Sequence, residues 1–266
     1  MKGFYLYGIC PSVKPKKLSA KDLSESIGGG KVFSISYKDI EAIVSEVSLK
    51  EFGSSEIQRK ATESLEWIKD KVLMHEKVIE TAMSNSDGLI IPMKFGTIFK
   101  NRESLAGSLK KDYLKFNNLF ENLNGKAEYS VKVYLKSKLL ENEIRKSSPT
   151  IKRRLEELKS LPAGRQYFLE EEINEMVKRE ARNSVNNYTP LFLEKLKRLA
   201  EELKENRILG KELTQRSDPM IFNGAILVKK AKVDKFQGEM QKLQAEYEKI
   251  GFIFESSGPW PPYNFV

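Results

Sequence analysis

Two rhythms of apolar residues divide the first half of the chain. Residues 4–10, 32–36 and 40–47 are short aromatic or β-branched runs, which predict strands. Gly28-Gly29-Gly30 leads into the second run, and Lys38-Asp39 turns the second into the third. Further on the spacing lengthens. Ala61, Leu65, Ile68, Val72, His75, Ile79 and Ala82 alternate steps of four and three, the stripe of a single amphipathic helix that Asn85 and Gly88 end. Residues 89–93 and 95–99 return to strand character but carry Pro92 and Gly96, so they predict an edge strand, a bulge or a sharp bend. A second helix is expected over 102–123, closed by Asn124-Gly125.

The second half repeats this grammar in other proportions. Residues 127–135 alternate, with Tyr129, Val131, Val133 and Leu135 on one face of a predicted strand. A charged helical region is expected over 138–206, broken at Ser148-Pro149, at Leu161-Pro162-Ala163-Gly164 and at Asn186-Asn187-Tyr188-Thr189-Pro190. Leu169, Ile173, Met176, Val177 and Ala181 stripe one of its helices; Leu196, Leu199, Ala200 and Leu203 stripe another. Strands are expected at 208–215 and 222–229, then a helix over 233–250 ended by Gly251, then a last strand at 252–255. The fold class is therefore α+β with two domains. An N-terminal α+β domain covers 1–125, and a C-terminal ferredoxin-like (βαββαβ) domain with an enlarged helical crossover covers 126–257. An aromatic and proline-rich tail follows over 258–266. In the ferredoxin-like order the first and third strands are central neighbours, so 222–229 should lie beside 127–135.

Composition narrows the class without naming a function. With 266 residues, 40% hydrophobic and 31% charged, the chain is long and apolar enough for two real cores. No apolar run approaches the roughly 18 residues of a transmembrane helix, so no membrane span is expected. The lone Cys10 excludes an internal disulfide and points to a reducing, cytoplasmic setting. Forty-six Lys and Arg against 37 Asp and Glu give a net charge of +9. Basic runs such as Lys152-Arg153-Arg154 are nevertheless followed at once by Glu156-Glu157, the spacing of ion pairs on a solvated helix. No aromatic–basic motif accompanies the charge, so nucleic acid is not an expected partner.

Candidate chemistry is thin. His75 lies on the helix stripe beside Glu76, but a general base also needs a nucleophile or substrate group, and the sequence supplies none. A neutral core histidine with a backbone partner is the reading it supports. Gly28-Gly29-Gly30-Lys31 lacks the spacing of a phosphate loop and precedes a strand where such a loop opens a helix. Cys10 reads as a small apolar residue. No enzyme activity, cofactor or metal is expected.

Two segments ask for more. Pro92, Lys94, Phe95, Gly96 and Thr97 form either a structural corner of the first domain or a binding lip. The tail sets Trp260, Tyr263 and Phe265 among Pro259, Pro261 and Pro262. Pro261-Pro262 favours an extended, polyproline-like ribbon that loses little entropy on docking. The tail is either a staple or a partner-binding arm; as a staple, Trp260 and Tyr263 should be mostly buried at the domain junction near the Pro92 bend. Candidate partner-binding or interdomain residues are thus Pro92, Lys94, Phe95, Gly96, Thr97, Trp260, Pro261, Pro262, Tyr263 and Phe265.

These motifs carry a resemblance. Tyr5-Leu6-Tyr7-Gly8-Ile9, Ala42-Ile43-Val44-Ser45, Trp67 with His75-Glu76-Lys77-Val78, and Ile91-Pro92-Met93-Lys94-Phe95-Gly96-Thr97-Ile98-Phe99 stand in order. Glu128-Tyr129-Ser130-Val131-Lys132-Val133, Pro162-Ala163-Gly164-Arg165-Gln166-Tyr167-Phe168-Leu169 and Gly258-Pro259-Trp260-Pro261-Pro262-Tyr263-Asn264-Phe265 complete the series. The chain resembles the gas vesicle GvpF/GvpL family of accessory proteins, with Lys94 where the family pattern often has Arg. The resemblance implies a non-enzymatic part in building the gas vesicle, through binding to the hydrophobic shell protein and other accessory proteins, and a cytoplasmic location at the vesicle. The residues themselves leave open a basic nucleic-acid-binding or general adaptor module.

Overall fold

A computed structural model of the chain describes residues 1–12 and 26–266. The chain folds as two compact units, Met1–Ala127 together with Pro259–Val266, and Glu128–Gly258.

The first unit opens with β1 (Lys2–Pro11), β2 (Val32–Tyr37) and β3 (Ile40–Ser48). It continues through α1 (Leu49–Phe52), α2 (Ser54–Glu63), α3 (Leu65–Asn85), β4 (Ile91–Pro92), β5 (Ile98–Phe99) and α4 (Arg102–Leu123). Its sheet has the order β2-β3-β1-β4, with β5 also on β1, and these ladders are antiparallel. The central strand is β1, so its apolar run has no solvent face: Tyr5, Leu6, Tyr7, Ile9 and Cys10 are all buried. At the Lys38-Asp39 turn Lys38 takes the left-handed conformation, φ 52°.

The single helix expected from Ala61 to Ala82 is two. Ser64 leaves helical geometry (φ −145°) and its Oγ accepts the Trp67 N–H at 3.2 Å, so it caps α3 rather than continuing α2. Leu65, counted in the stripe, is consequently exposed, while His75, Val78, Ile79 and Ala82 are buried. The side chain of Ala61 lies outside the described residues.

The second unit holds β6 (Lys126–Leu135, which begins in the first), α5 (Ser137–Ser147), α6 (Pro149–Ser160), α7 (Ala163–Lys197) and β7 (Glu202–Glu205). Then come α8 (Lys211–Thr214), β8 (Met220–Lys229), α9 (Val233–Tyr247) and β9 (Phe252–Trp260). The strand order is β7-β8-β6-β9, so β8 lies beside β6. Two expectations need correction. The helical region is not interrupted at Pro190, which sits inside α7 with Phe192 and Leu196 fully buried beyond it. The packing of that continued stripe outweighs the roughly 3 kcal/mol a helix-interior proline costs. The second strand is not 208–215 but β7, which pairs Leu203 with Ile226. Its Glu-Leu-Lys-Glu sequence suits an edge strand, where charge is tolerated and backbone pairing supplies the order. Lys211–Thr214 is a short helix, closed by Gln215 in the left-handed conformation.

Aromatic edges fill the second core. Phe192 stands 5.2 Å from Phe254 and 6.1 Å from Phe222 between ring centroids, both edge-on. Tyr129 and Phe236 are 5.2 Å apart. No helix of the described residues is long and apolar enough to cross a membrane.

Candidate functional site

The segment between β4 and β5 is a loop pinned at both ends to β1. Gly8 pairs with Pro92 and Tyr5 with Ile98. Between them the Met93 N–H donates to the Tyr7 carbonyl (2.8 Å) and the Leu6 N–H donates to the Thr97 carbonyl (2.8 Å). Lys94 to Thr97 close as a tight turn, Thr97 N–H and Oγ1–H both donating to the Lys94 carbonyl (3.2 and 2.7 Å). Gly96 stands at φ +82°, a conformation that favours glycine at this place in a turn. Lys94 is exposed, Phe95, Gly96 and Thr97 are half-buried, and Pro92 is buried.

Beneath the turn, Tyr5 and His75 join its two ends. The Gly96 N–H donates to Tyr5 Oη at 2.9 Å. Tyr5 Oη lies 3.0 Å from His75 Nδ1, and His75 Nε2 lies 3.1 Å from the Met93 carbonyl oxygen. A carbonyl only accepts, so Nε2 carries the proton; burial pushes His75 down to about 4, so Nδ1 is bare and accepts from Tyr5. The imidazole is 1% exposed, stacked on Tyr7 (5.8 Å) and edge-on to Phe95 (5.7 Å). Burial also raises the phenols of Tyr5 and Tyr7 above their ordinary range. Tyr7 Oη accepts from the Ile27 N–H (3.1 Å) and lies 2.9 Å from Ser45 Oγ. His75 is thus a bracing group without access to solvent. Cys10, 5% exposed and pushed by burial up to about 12, is held as a thiol. Among the described residues no three His, Cys, Asp or Glu side chains converge as a metal site.

The tail joins this same unit. Pro261 and Pro262 are buried, Phe265 is 4% exposed, and Tyr263 packs against the cluster that contains Tyr5, Tyr7, Val78 and Ile79. Tyr263 Oη–H donates to Glu76 Oε1 at 2.8 Å. Burial raises the Glu76 carboxyl, and the Tyr263 hydrogen bond opposes that rise. Two expectations fail here. Trp260 is not mostly buried but 42% exposed: the apolar anchors are the neighbouring prolines and Phe265 instead. The ribbon is extended only as far as Trp260, the end of the edge strand β9; Tyr263–Phe265 then turn as a 3₁₀ helix. The Tyr5–His75 link escaped sequence reasoning, although a polar residue on an apolar stripe signals that some buried partner must exist.

The class that fold and site define is an antiparallel α+β protein whose single histidine is sealed as a brace. The family model of the gas vesicle synthesis protein GvpL/GvpF matches residues 3–266, and the chain belongs to that family. It is 23% identical over 250 residues to gas vesicle protein F of Nostoc sp., covering 93% of this chain and 91% of that one. Identity to gas vesicle protein F1 of Halobacterium salinarum is 24% over 266 residues, covering 100% and 93%. The crystal structure of the gas vesicle protein GvpF from Anabaena sp. shares the fold, with a TM-score of 0.74 at 21% identity over 100% of this chain and 98% of that one. A gas vesicle accessory role follows for this chain.

Proposed function

We propose that the protein takes part in gas vesicle assembly by binding the shell subunit and other accessory proteins, at the vesicle and in the cytoplasm, without turning over a small molecule. The observation that carries this reading is the family match from residue 3 to residue 266, which spans both units and the tail. The sealed state of His75 and Cys10 supports a binding role over a catalytic one. We take the second unit as a ferredoxin-like βαββαβ module, in keeping with its strand order. The domain scheme 1–125, 126–257 and 258–266 is retained as the working division of labour. The turn carrying Pro92, Lys94, Phe95, Gly96 and Thr97, with the tail residues Trp260, Pro261, Pro262, Tyr263 and Phe265, is the proposed partner-binding region of the first unit. Lys94 and Trp260 are the exposed members a partner would meet first.

Co-expression of the tagged protein with the shell subunit, and with each accessory protein in turn, tests the reading. A stable complex with at least one of them is expected. Deleting 258–266 should weaken that complex and lower the unfolding temperature together, because the buried prolines and Phe265 anchor the first unit. No complex with any vesicle protein would overturn the assembly role; an unchanged melting temperature after deletion would remove the staple.

A further inference from the structure

One motif of the sequence has no part in the first-unit site. In Pro162-Ala163-Gly164-Arg165-Gln166-Tyr167-Phe168-Leu169, α7 begins after Pro162, and its opening turns are tied down before any partner arrives. The Arg165 N–H donates to the Pro162 carbonyl at 2.8 Å, and Gln166 Nε2–H donates to the Leu161 carbonyl at 2.8 Å. Leu169 faces the interior, 7% exposed. Tyr167 and Phe168 do the opposite: they are 66% and 75% exposed, with ring centroids 5.8 Å apart and an edge-on interplanar angle of 80°. Large aromatics left in water at adjacent positions of a well-anchored helix are what protein interfaces use as anchors, since little side-chain freedom is lost on docking.

The surroundings describe what would cover them. Ala163 and Gly164 stand one helical turn before Tyr167 and Phe168, on the same face. A Cβ on Gly164 would meet nothing within 4 Å, and the residue is absent from the positive-φ glycines, so neither packing nor backbone demands glycine there. A small residue beside an aromatic pair leaves room for another backbone to approach closely. On the C-terminal side stand Glu170, Glu171 and Glu172, all exposed, with Glu172 paired to Arg154 at 2.7 Å. Glu170 and Glu171 are acidic neighbours of the pair, set on a chain whose net charge is +9. A basic segment is therefore the complementary occupant on charge.

We propose that Ala163, Gly164, Tyr167, Phe168, Glu170 and Glu171 form a second docking surface, on the second unit, for a basic amphipathic helix of a gas vesicle protein. Its apolar stripe would cross the Gly164 notch and pack on the aromatic pair, with its Lys or Arg residues meeting Glu170 and Glu171. This rests on the assembly reading above and adds to it a surface remote in sequence from the first-unit turn and tail.

The test uses the full chain and, as probes, the shell subunit and accessory proteins of the same vesicle gene set, each co-expressed singly. The double variant Tyr167→Ser/Phe168→Ser should keep the wild-type melting temperature while binding to one probe weakens roughly tenfold or more. Glu170→Gln/Glu171→Gln should weaken the same complex and make the remainder less sensitive to added salt. Gly164→Ala separates docking from folding, because it should leave stability equal or higher and still impair binding. A photo-crosslinking residue at position 167 should capture that probe through a basic helical segment. If wild-type protein binds a probe and these variants bind it equally, this surface is refuted while the assembly reading stands. Crosslinking at position 167 to a second copy alone would replace the proposed occupant with self-association. If wild type binds no probe, both readings fall together.

Discussion

The two units solve the same packing problem with different chemistry. In the first, Tyr5 and Tyr7 of β1, Ser45 of β3 and His75 of α3 meet in the core, all buried and hydrogen-bonded to one another or to backbone. In the second, Phe192, Phe222, Phe252 and Phe254 form an apolar cluster that meets edge to face, with the rings of Tyr188 and Tyr247 at its margin. A phenylalanine core draws its stability from area and shape and tolerates relaxed geometry. A tyrosine–histidine core draws less net energy from each hydrogen bond but punishes any arrangement that leaves a donor or acceptor unmet. The first unit thereby fixes one position for the turn that bears Lys94, whereas the second only has to exclude water. Specific placement belongs to the polar core, and bulk cohesion to the apolar one.

The strongest way to break the contrast is to hollow the apolar side. Phe192 is fully buried and touches three other rings, so Phe192→Ala should cost about 3–5 kcal/mol. Denaturant unfolding followed by a probe in each unit should show the second unit losing stability first. A loss below about 1 kcal/mol would mean the aromatic cluster is not the main source of its cohesion.

Acid sharpens the contrast from the other side. His75 has its folded pKa at about 4, below the ordinary 6.5, because burial disfavours the charged ring. The unfolded chain therefore binds the proton first. The stability this group contributes is fully present above about pH 6.5 and is lost as pH falls toward 4, on the order of 3 kcal/mol at the lower limit. Glu76, with its raised carboxyl, has the opposite sign: its contribution declines as pH rises through its folded value. The chain has one histidine, so no imidazole titrates in the second unit. A pH series of unfolding curves checks this. His75→Phe should lower stability at neutral pH and flatten the slope over that window; an unchanged slope would show that folding does not depress the His75 pKa.

How much of this was legible beforehand follows the same division. Strands β1, β3, β6 and β8 stand out because buried β-branched and aromatic runs leave their mark directly in residue type, and α4 because Asn124-Gly125 closes it. The edge strand β7 was invisible, since Glu202–Glu205 is ordered by backbone pairing to β8 and not by its own apolar pattern. Ser64 passes for one more helical position because capping depends on a single side-chain oxygen, which periodicity does not record. Pro190 was overvalued as a breaker because local propensity carries no knowledge of Phe192 and Leu196 downstream. At the site, the Pro92 and Gly96 punctuation announced the bend correctly, but the Tyr5–His75 link joins residues 70 apart in sequence. Aromatic character on a proline-stiffened ribbon points Trp260 inward, but it does not say which of several apolar neighbours takes the available groove.

The smallest effect tests where the polar style of the first unit meets the tail. Tyr263 donates to Glu76 at 2.8 Å, one residue from the sealed histidine on the same helix. Burial, with Glu76 nearby, raises the Tyr263 phenol, so the hydroxyl keeps its proton and remains a donor throughout the working pH range. Hydrogen bonds to a charged group contribute about 1.5–3 kcal/mol when sheltered. Glu76 and Tyr263 are only half-buried, so Tyr263→Phe should cost less, about 1 kcal/mol, or a melting shift of about 2–4 °C. The ring stays in place, which isolates the hydroxyl from the packing of Pro261, Pro262 and Phe265. Glu76 should then titrate higher still, because the bond that opposed its rise is gone. A variant that melts with the wild type and leaves the Glu76 titration unmoved would show that the tail is seated by its apolar anchors alone, in the manner of the second core.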